Sequence, residues 1–170
     1  MTSFGAEVFL TVNAFANHAE TFTKDTTYFS DVNGDGLTDL VHDGTYYVAE
    51  AEGGPVGCGG WSRRRTLFGG DRYGARDSGY LDPSREPAKI RAFFVHPGWA
   101  RRGVAGRILE TCEREARAEG FRALELMATL PGVKLYAARG YEAGAQVEYE
   151  IADGVTIEFV PMRKELSGSG

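Results

Sequence analysis

Residues Ala88 to Gly106 read A-K-I-R-A-F-F-V-H-P-G-W-A-R-R-G-V-A-G, an apolar, β-rich run that stops at Pro97 and passes through a basic, glycine-bearing turn into a helix. The first N–H groups of a helix have no intrahelical partner, and the macrodipole is positive there. A turn of small residues that lets the backbone approach closely then becomes a cradle for a diphosphate. Arg101, Arg102 and Arg107 surround it. Guanidinium pairs well with phosphate, and the same three residues would also serve as a solvated helix start.

Periodicity supplies the elements that must hold this turn. Thr45 to Ala51 is aromatic and β-branched, Glu52-Gly53-Gly54-Pro55 is a turn, and Val56 to Arg64 returns, which predicts a hairpin. Thr66 to Pro87 carries Gly and Pro among charges and reads as a long loop, a feature that is usually functional inside a compact domain. Val104, Ile108, Leu109, Cys112 and Ala116 recur at helical spacing, with Arg107, Glu110, Arg114 and Arg117 on the other face and Gly120 as the stop. Arg122 to Thr129 is then a strand and Gly132 to Arg139 a short helix. Tyr141 to Ala152 and Val155 to Met162 form a last hairpin turning at Asp153-Gly154. The passage from Ile90 to Met127 is strand, helix, strand, which implies a parallel pair joined by a right-handed crossover. The fold class is α/β, with a mixed central sheet and an irregular N-terminal segment.

A chain of 170 residues suits one globular domain, and 42% hydrophobic with 25% charged residues excludes a disordered or fibrous protein. A formal charge of -5 argues against nucleic acid or an anionic membrane as the main partner. Cys58 and Cys112 have no metal-ligand spacing and read as small buried hydrophobes. With no signal peptide and no membrane-length apolar run, a cytoplasmic location is expected. Residues 167–170, Ser-Gly-Ser-Gly, read as a flexible tail.

Two segments carry a family resemblance. Ala100-Arg101-Arg102-Gly103-Val104-Ala105 resembles the (Gln/Arg)-x-x-Gly-x-(Gly/Ala) loop of the GCN5-related N-acetyltransferases, the GNAT superfamily, which binds the diphosphate of acetyl-CoA. Val133 to Tyr141 is similar to that family's (Phe/Leu)-Tyr-x-x-x-Gly-(Phe/Tyr) segment. In this order, with one helix and one strand between them, the pair is specific, and the resemblance covers about residues 45–166. Ala100 stands where the family usually has Gln or Arg, Thr129 where many members place an Asn that holds the pantetheine arm, and Gly132 where Ala is frequent.

The resemblance implies a residue set. Arg101, Arg102, Gly103, Val104, Ala105 and Gly106 would hold the diphosphate, the main chain of Ala92, Phe93, Phe94 and Val95 the pantetheine amides, and Thr129 the pantetheine arm. Tyr136 would be the general acid that returns a proton to the departing thiolate; its other reading is a packing aromatic. A general base is needed to deprotonate an ammonium acceptor. The strand Ala88 to Val95 contains no acid, so Glu86, Asp82 and Asp77 are the candidates, Glu86 first. Trp61, Phe68, Tyr80, Arg91 and Phe93 are candidates to line the acceptor pocket, with packing as the alternative.

Residues 1–44 read differently. Asp31-Val32-Asn33-Gly34-Asp35-Gly36-Leu37-Thr38-Asp39 places oxygen side chains at alternate positions before a glycine, as a calcium loop does. His42 stands where an EF-hand needs a bidentate acid, so that reading fails. The run Tyr28 to Val41 instead resembles the calcium loops of FG-GAP or VCBS-type repeats. Asp31, Asn33, Asp35 and Asp39 are therefore candidate calcium ligands, against the alternative of a solvated turn. The change of character at residues 43–47 makes a chimeric chain one of the readings.

The expected function is transfer of an acetyl group from acetyl-CoA to a primary amine, on a small molecule or a peptide. The alternative is a non-catalytic α/β scaffold that keeps CoA binding or the calcium loop. Neither the acceptor nor the oligomeric state is legible.

Overall fold

Alternating apolar and β-branched residues draw the middle of the chain into a sheet. The computed structural model describes residues 9–12, 44–51, 54–65, 79–152 and 155–166. Strands β1 (Phe9–Val12), β2 (Tyr46–Ala51), β3 (Gly54–Ser62) and β4 (Ala88–Val95) are followed by helix α1 (Val104–Ala118) and β5 (Ala123–Thr129). Short helix α2 (Val133–Ala137), then β6 (Glu142–Ala143), β7 (Val147–Ala152) and β8 (Val155–Glu165) complete the order. Single 3-10 turns at Pro97–Trp99 and Leu130–Gly132 precede the two helices.

Among the described residues the strands form one mixed sheet in the order β1-β2-β3-β4-β5-β8-β6, with β7 also pairing β8. β1 to β4 are successive antiparallel neighbours; β4 and β5 are parallel, and α1 is the crossover between them. This is the expected strand, helix, strand unit.

Helix α1 buries Val104, Ile108, Leu109, Cys112 and Ala116, while Arg107, Glu110, Arg114 and Arg117 stay exposed. Its end is a Schellman motif: Gly120, at φ 91°, donates its N–H to the Arg117 carbonyl, and Phe121 donates to Ala116. Phe121 then packs edge-on against the fully buried Trp61, with ring centroids 5.7 Å apart. That contact ties the helix end to β3. The core is the face of β2 to β5 that α1 covers, extended by Tyr136, Tyr141, Val160 and Met162.

The last hairpin differs from the sequence reading. Tyr141 to Ala152 divides into β6 and β7, both on β8. Ala143 pairs Met162 but Val147 pairs Phe159, so the β6–β7 side has one residue more. Pro161 lies in that interval and has no N–H to donate to a ladder; its carbonyl instead accepts from Gly144 at 2.8 Å. β8 also runs past Met162 to Glu165, pairing β5 along its whole length.

Candidate active site

A bulge opens the sheet where the chemistry is expected. β3 and β4 pair Cys58 with Phe94 and then Gly60 with Arg91, so β4 has one residue more than its partner in that interval. Ala92 takes φ 54°, a backbone region that L side chains rarely adopt. β4 and β5 pair only at Ala88↔Leu124 and Lys89↔Glu125; beyond Lys89 no ladder pair joins them. Because β5 is fully paired to β8 on its other edge, the gap lies between two strand edges carrying main-chain hydrogen-bonding groups. At the closed end the Lys89 ammonium and Glu125 carboxylate form an ion pair, with the Lys89 side chain buried.

The side chains beside the bulge are locked together. A Cβ on Gly59 would stand 2.6 Å from Phe93 Cδ2, so only glycine lets that ring lie against β3. Phe93 in turn meets Tyr136 edge-on at 6.3 Å between centroids, and Tyr136 meets Tyr141 at 5.7 Å. Tyr136 is 8% exposed. Burial, with the nearby Cys112 second, pushes its phenol up to about 12. Thr129 is exposed at the end of β5, and Gly132 lies between its Oγ1 and the Tyr136 ring: a Cβ there would be 3.6 Å from one and 3.4 Å from the other. Glycine in place of alanine leaves that flank of the ring without a methyl contact.

The turn before α1 has the form of an anion cradle. His96 Nδ1 accepts the Gly98 N–H at 3.1 Å and so closes the 3-10 turn. Arg101 follows at φ 61°, and Gly103, at φ 83°, is the N-cap. Among the described residues no side chain caps the helix start, and no acid stands in its first turn. Arg107 makes the first backbone bond of the helix, to Gly103 at 3.0 Å, which leaves the N–H groups of Val104, Ala105 and Gly106 without an intrahelical carbonyl. Arg101 and Arg102 are exposed, and Arg102 stacks over Trp99 at 5.0 Å. That stack holds one guanidinium beside the cradle.

The other candidates separate. Phe93 and Val95 are half-buried beside the gap; Phe94 points outward and is 58% exposed. Glu86 pairs with Arg65 and accepts the Asp82 N–H at 2.7 Å, and extended chain from Glu86 to Ala92 spans roughly 20 Å. The structure thus gives Glu86 a turn-holding task away from the bulge. Asp82 is likewise engaged, accepting from the Ser84 N–H and hydroxyl, which lowers its carboxyl. Trp61 is a core residue, Arg91 is buried, and Tyr80 is exposed under Arg63 and Arg64. Asp77, Phe68 and the proposed calcium ligands Asp31, Asn33, Asp35 and Asp39 lie outside the described residues. Among the described residues no group of His, Cys, Asp or Glu is placed to hold a metal ion, and no helix is long and apolar enough to cross a membrane.

Sequence reasoning missed the positive φ at Ala92, because alanine carries no mark of one. It also missed Arg139, whose guanidinium lies against Gly106. A glycine inside a helix was the available signal for that close approach.

A mixed sheet parted between a parallel strand pair, followed by a helix start with free N–H groups and no acid, defines an α/β fold with an anion-binding turn. The chain belongs to the acetyltransferase (GNAT) family, whose model matches residues 11–141. The match begins well before Thr45, where the sequence resemblance was drawn, and it spans the suspected seam at residues 43–47. Solved structures agree on the fold. Ard1 from Thermoplasma volcanium superposes with a TM-score of 0.60 at 15% identity, covering 96% of this chain and 99% of that one. yncA from Salmonella typhimurium, solved with its cofactor acetyl-CoA, gives 0.62 at 13% identity, covering 96% of each chain. The ribosomal-protein-S18-alanine N-acetyltransferase of Escherichia coli gives 0.59 at 11% identity, covering 96% of this chain and 97% of that one. No curated protein sequence matches significantly.

Proposed function

We propose that this acetyltransferase moves the acetyl group of acetyl-CoA to a primary amine by direct attack in a ternary complex. The observation that carries the reading is the parting of β4 from β5 beyond Lys89 beside a buried Tyr136. Arg101, Arg102 and the N–H groups of Val104 to Gly106 take the diphosphate. The main chain of Phe93 to Val95 takes the pantetheine amides, and the Thr129 hydroxyl the arm near β5.

The acceptor nitrogen attacks the thioester carbon, an N–C bond forms, and the C–S bond breaks with its electron pair leaving on sulfur. Burial favours the neutral phenol, so Tyr136 keeps its proton at neutral pH and has it to give to the departing thiolate. Tyr136 is the general acid toward the developing thiolate. The nitrogen's proton leaves through water, since β4 carries no acid and Glu86 is engaged with Arg65. Small-molecule and peptide amines both fit this scheme.

Thiol release measured over a panel of amines tests it. The rate should rise with pH along each acceptor's own ammonium pKa, and Tyr136→Phe should lower turnover about 10²-fold while acetyl-CoA affinity stays within about twofold. Unchanged turnover in Tyr136→Phe would return the residue to packing alone.

A further inference from the structure

Gly106 lies in the first turn of α1, and the guanidinium of Arg139 fills the space that a side chain there would take. A Cβ on Gly106 would meet the Arg139 Nη2 and stand 2.8 Å from its Cζ. Arg139 follows α2, and its Nη1 pairs with Glu110, one turn further along α1. The Arg139 side chain is 34% exposed, so part of the guanidinium faces solvent.

Two features of this contact are unfavourable by themselves. Glycine is a poor helix former, and a cation beside a helix N-terminus is repelled by the macrodipole. An anion at that helix start reverses the second and gives the first a purpose. The guanidinium has five N–H donors in a planar fork; Glu110 takes one edge and Nη2 lies beside the first turn.

We propose that Arg139 is a phosphate-binding residue for coenzyme A. It reaches the cradle from the α2 side, Gly106 admits it, and Glu110 positions it. This rests on the acetyl-CoA reading above and adds a cation from a second element. Arg139 also donates its N–H to the Tyr136 carbonyl at 2.9 Å, so phosphate capture and the sulfur-facing hydroxyl share one turn of chain.

The test is calorimetry with CoA and steady-state kinetics with acetyl-CoA on the full chain, for wild type, Arg139→Gln, Arg139→Lys and Gly106→Ala. Arg139→Gln should raise the CoA Kd and the acetyl-CoA KM about tenfold with kcat within about twofold. Arg139→Lys should recover part of the loss, and Gly106→Ala, which keeps the charge but displaces it, should resemble Arg139→Gln. Thermal unfolding of each variant accompanies the measurement. Unchanged CoA affinity in Arg139→Gln, or a fall in kcat and melting temperature without a rise in KM, overturns the proposal and leaves Arg139 as a structural clasp. Failure of the wild type to bind CoA overturns the acetyl-CoA reading as well, which separates the two outcomes.

Discussion

Phe93 and Tyr136 meet edge-on with their ring centroids 6.3 Å apart and their planes at 67°. This contact joins the β4 bulge to α2, so the strand that opens the gap also fixes the ring expected to face sulfur. Gly59 is the third member, because the Phe93 ring lies where its side chain would be.

Gly59→Ala should therefore displace Phe93 and, through it, Tyr136. Overpacking of this kind costs about 1–3 kcal/mol. Urea denaturation should show that loss, and thiol release should fall about tenfold. Wild-type stability and turnover in the variant would mean that Phe93 moves without consequence for Tyr136.

Stability should fall at alkaline pH. Burial is the largest cause that raises Tyr47 and Tyr136 to about 12, and Tyr141 higher still. In the unfolded chain these phenols ionise near 10, so the fold favours their neutral form. The contribution is fully present below pH 10 and is lost as pH rises through the folded values near 12. For Tyr136 the shift corresponds to roughly 1–3 kcal/mol, with Tyr47 adding less. Denaturation midpoints at pH 8, 10 and 11.5 should be nearly level over the first pair and drop over the second. A midpoint unchanged to pH 11.5 would contradict the burial assigned to these hydroxyls.

Glu86→Gln should leave turnover within about twofold of wild type. Its partner Arg65 is substantially exposed, and exposed pairs contribute only about 0–1 kcal/mol, so the stability change should also be small. A hundredfold loss of turnover with CoA binding intact would make Glu86 the general base after all.

Local signals made much of this architecture legible. Pro97 ended β4 where its apolar run ended, and Gly120 ended α1 because a positive φ is needed there. What stayed hidden depends on pairs distant in the chain. The division of β6 from β7 depends on which residues face Pro161 across the ladder, and neither turn residues nor alternation report that. The opening of β4 from β5 depends on a positive φ at Ala92, a residue type that does not announce one. The cradle was legible because its parts are contiguous. Arg139 was not, since only the packing of α2 against α1 brings it to Gly106.

Calorimetric titration of wild type and Arg102→Glu with acetyl-CoA decides whether the basic turn at the start of α1 holds the cofactor's diphosphate. The substitution removes the guanidinium stacked on Trp99 and sets a carboxylate next to a site of uncapped N–H groups. One-to-one binding to wild type is expected, with affinity at least about tenfold weaker for Arg102→Glu and both proteins equally folded. Equal affinity in the two proteins, or no binding to either, would contradict it.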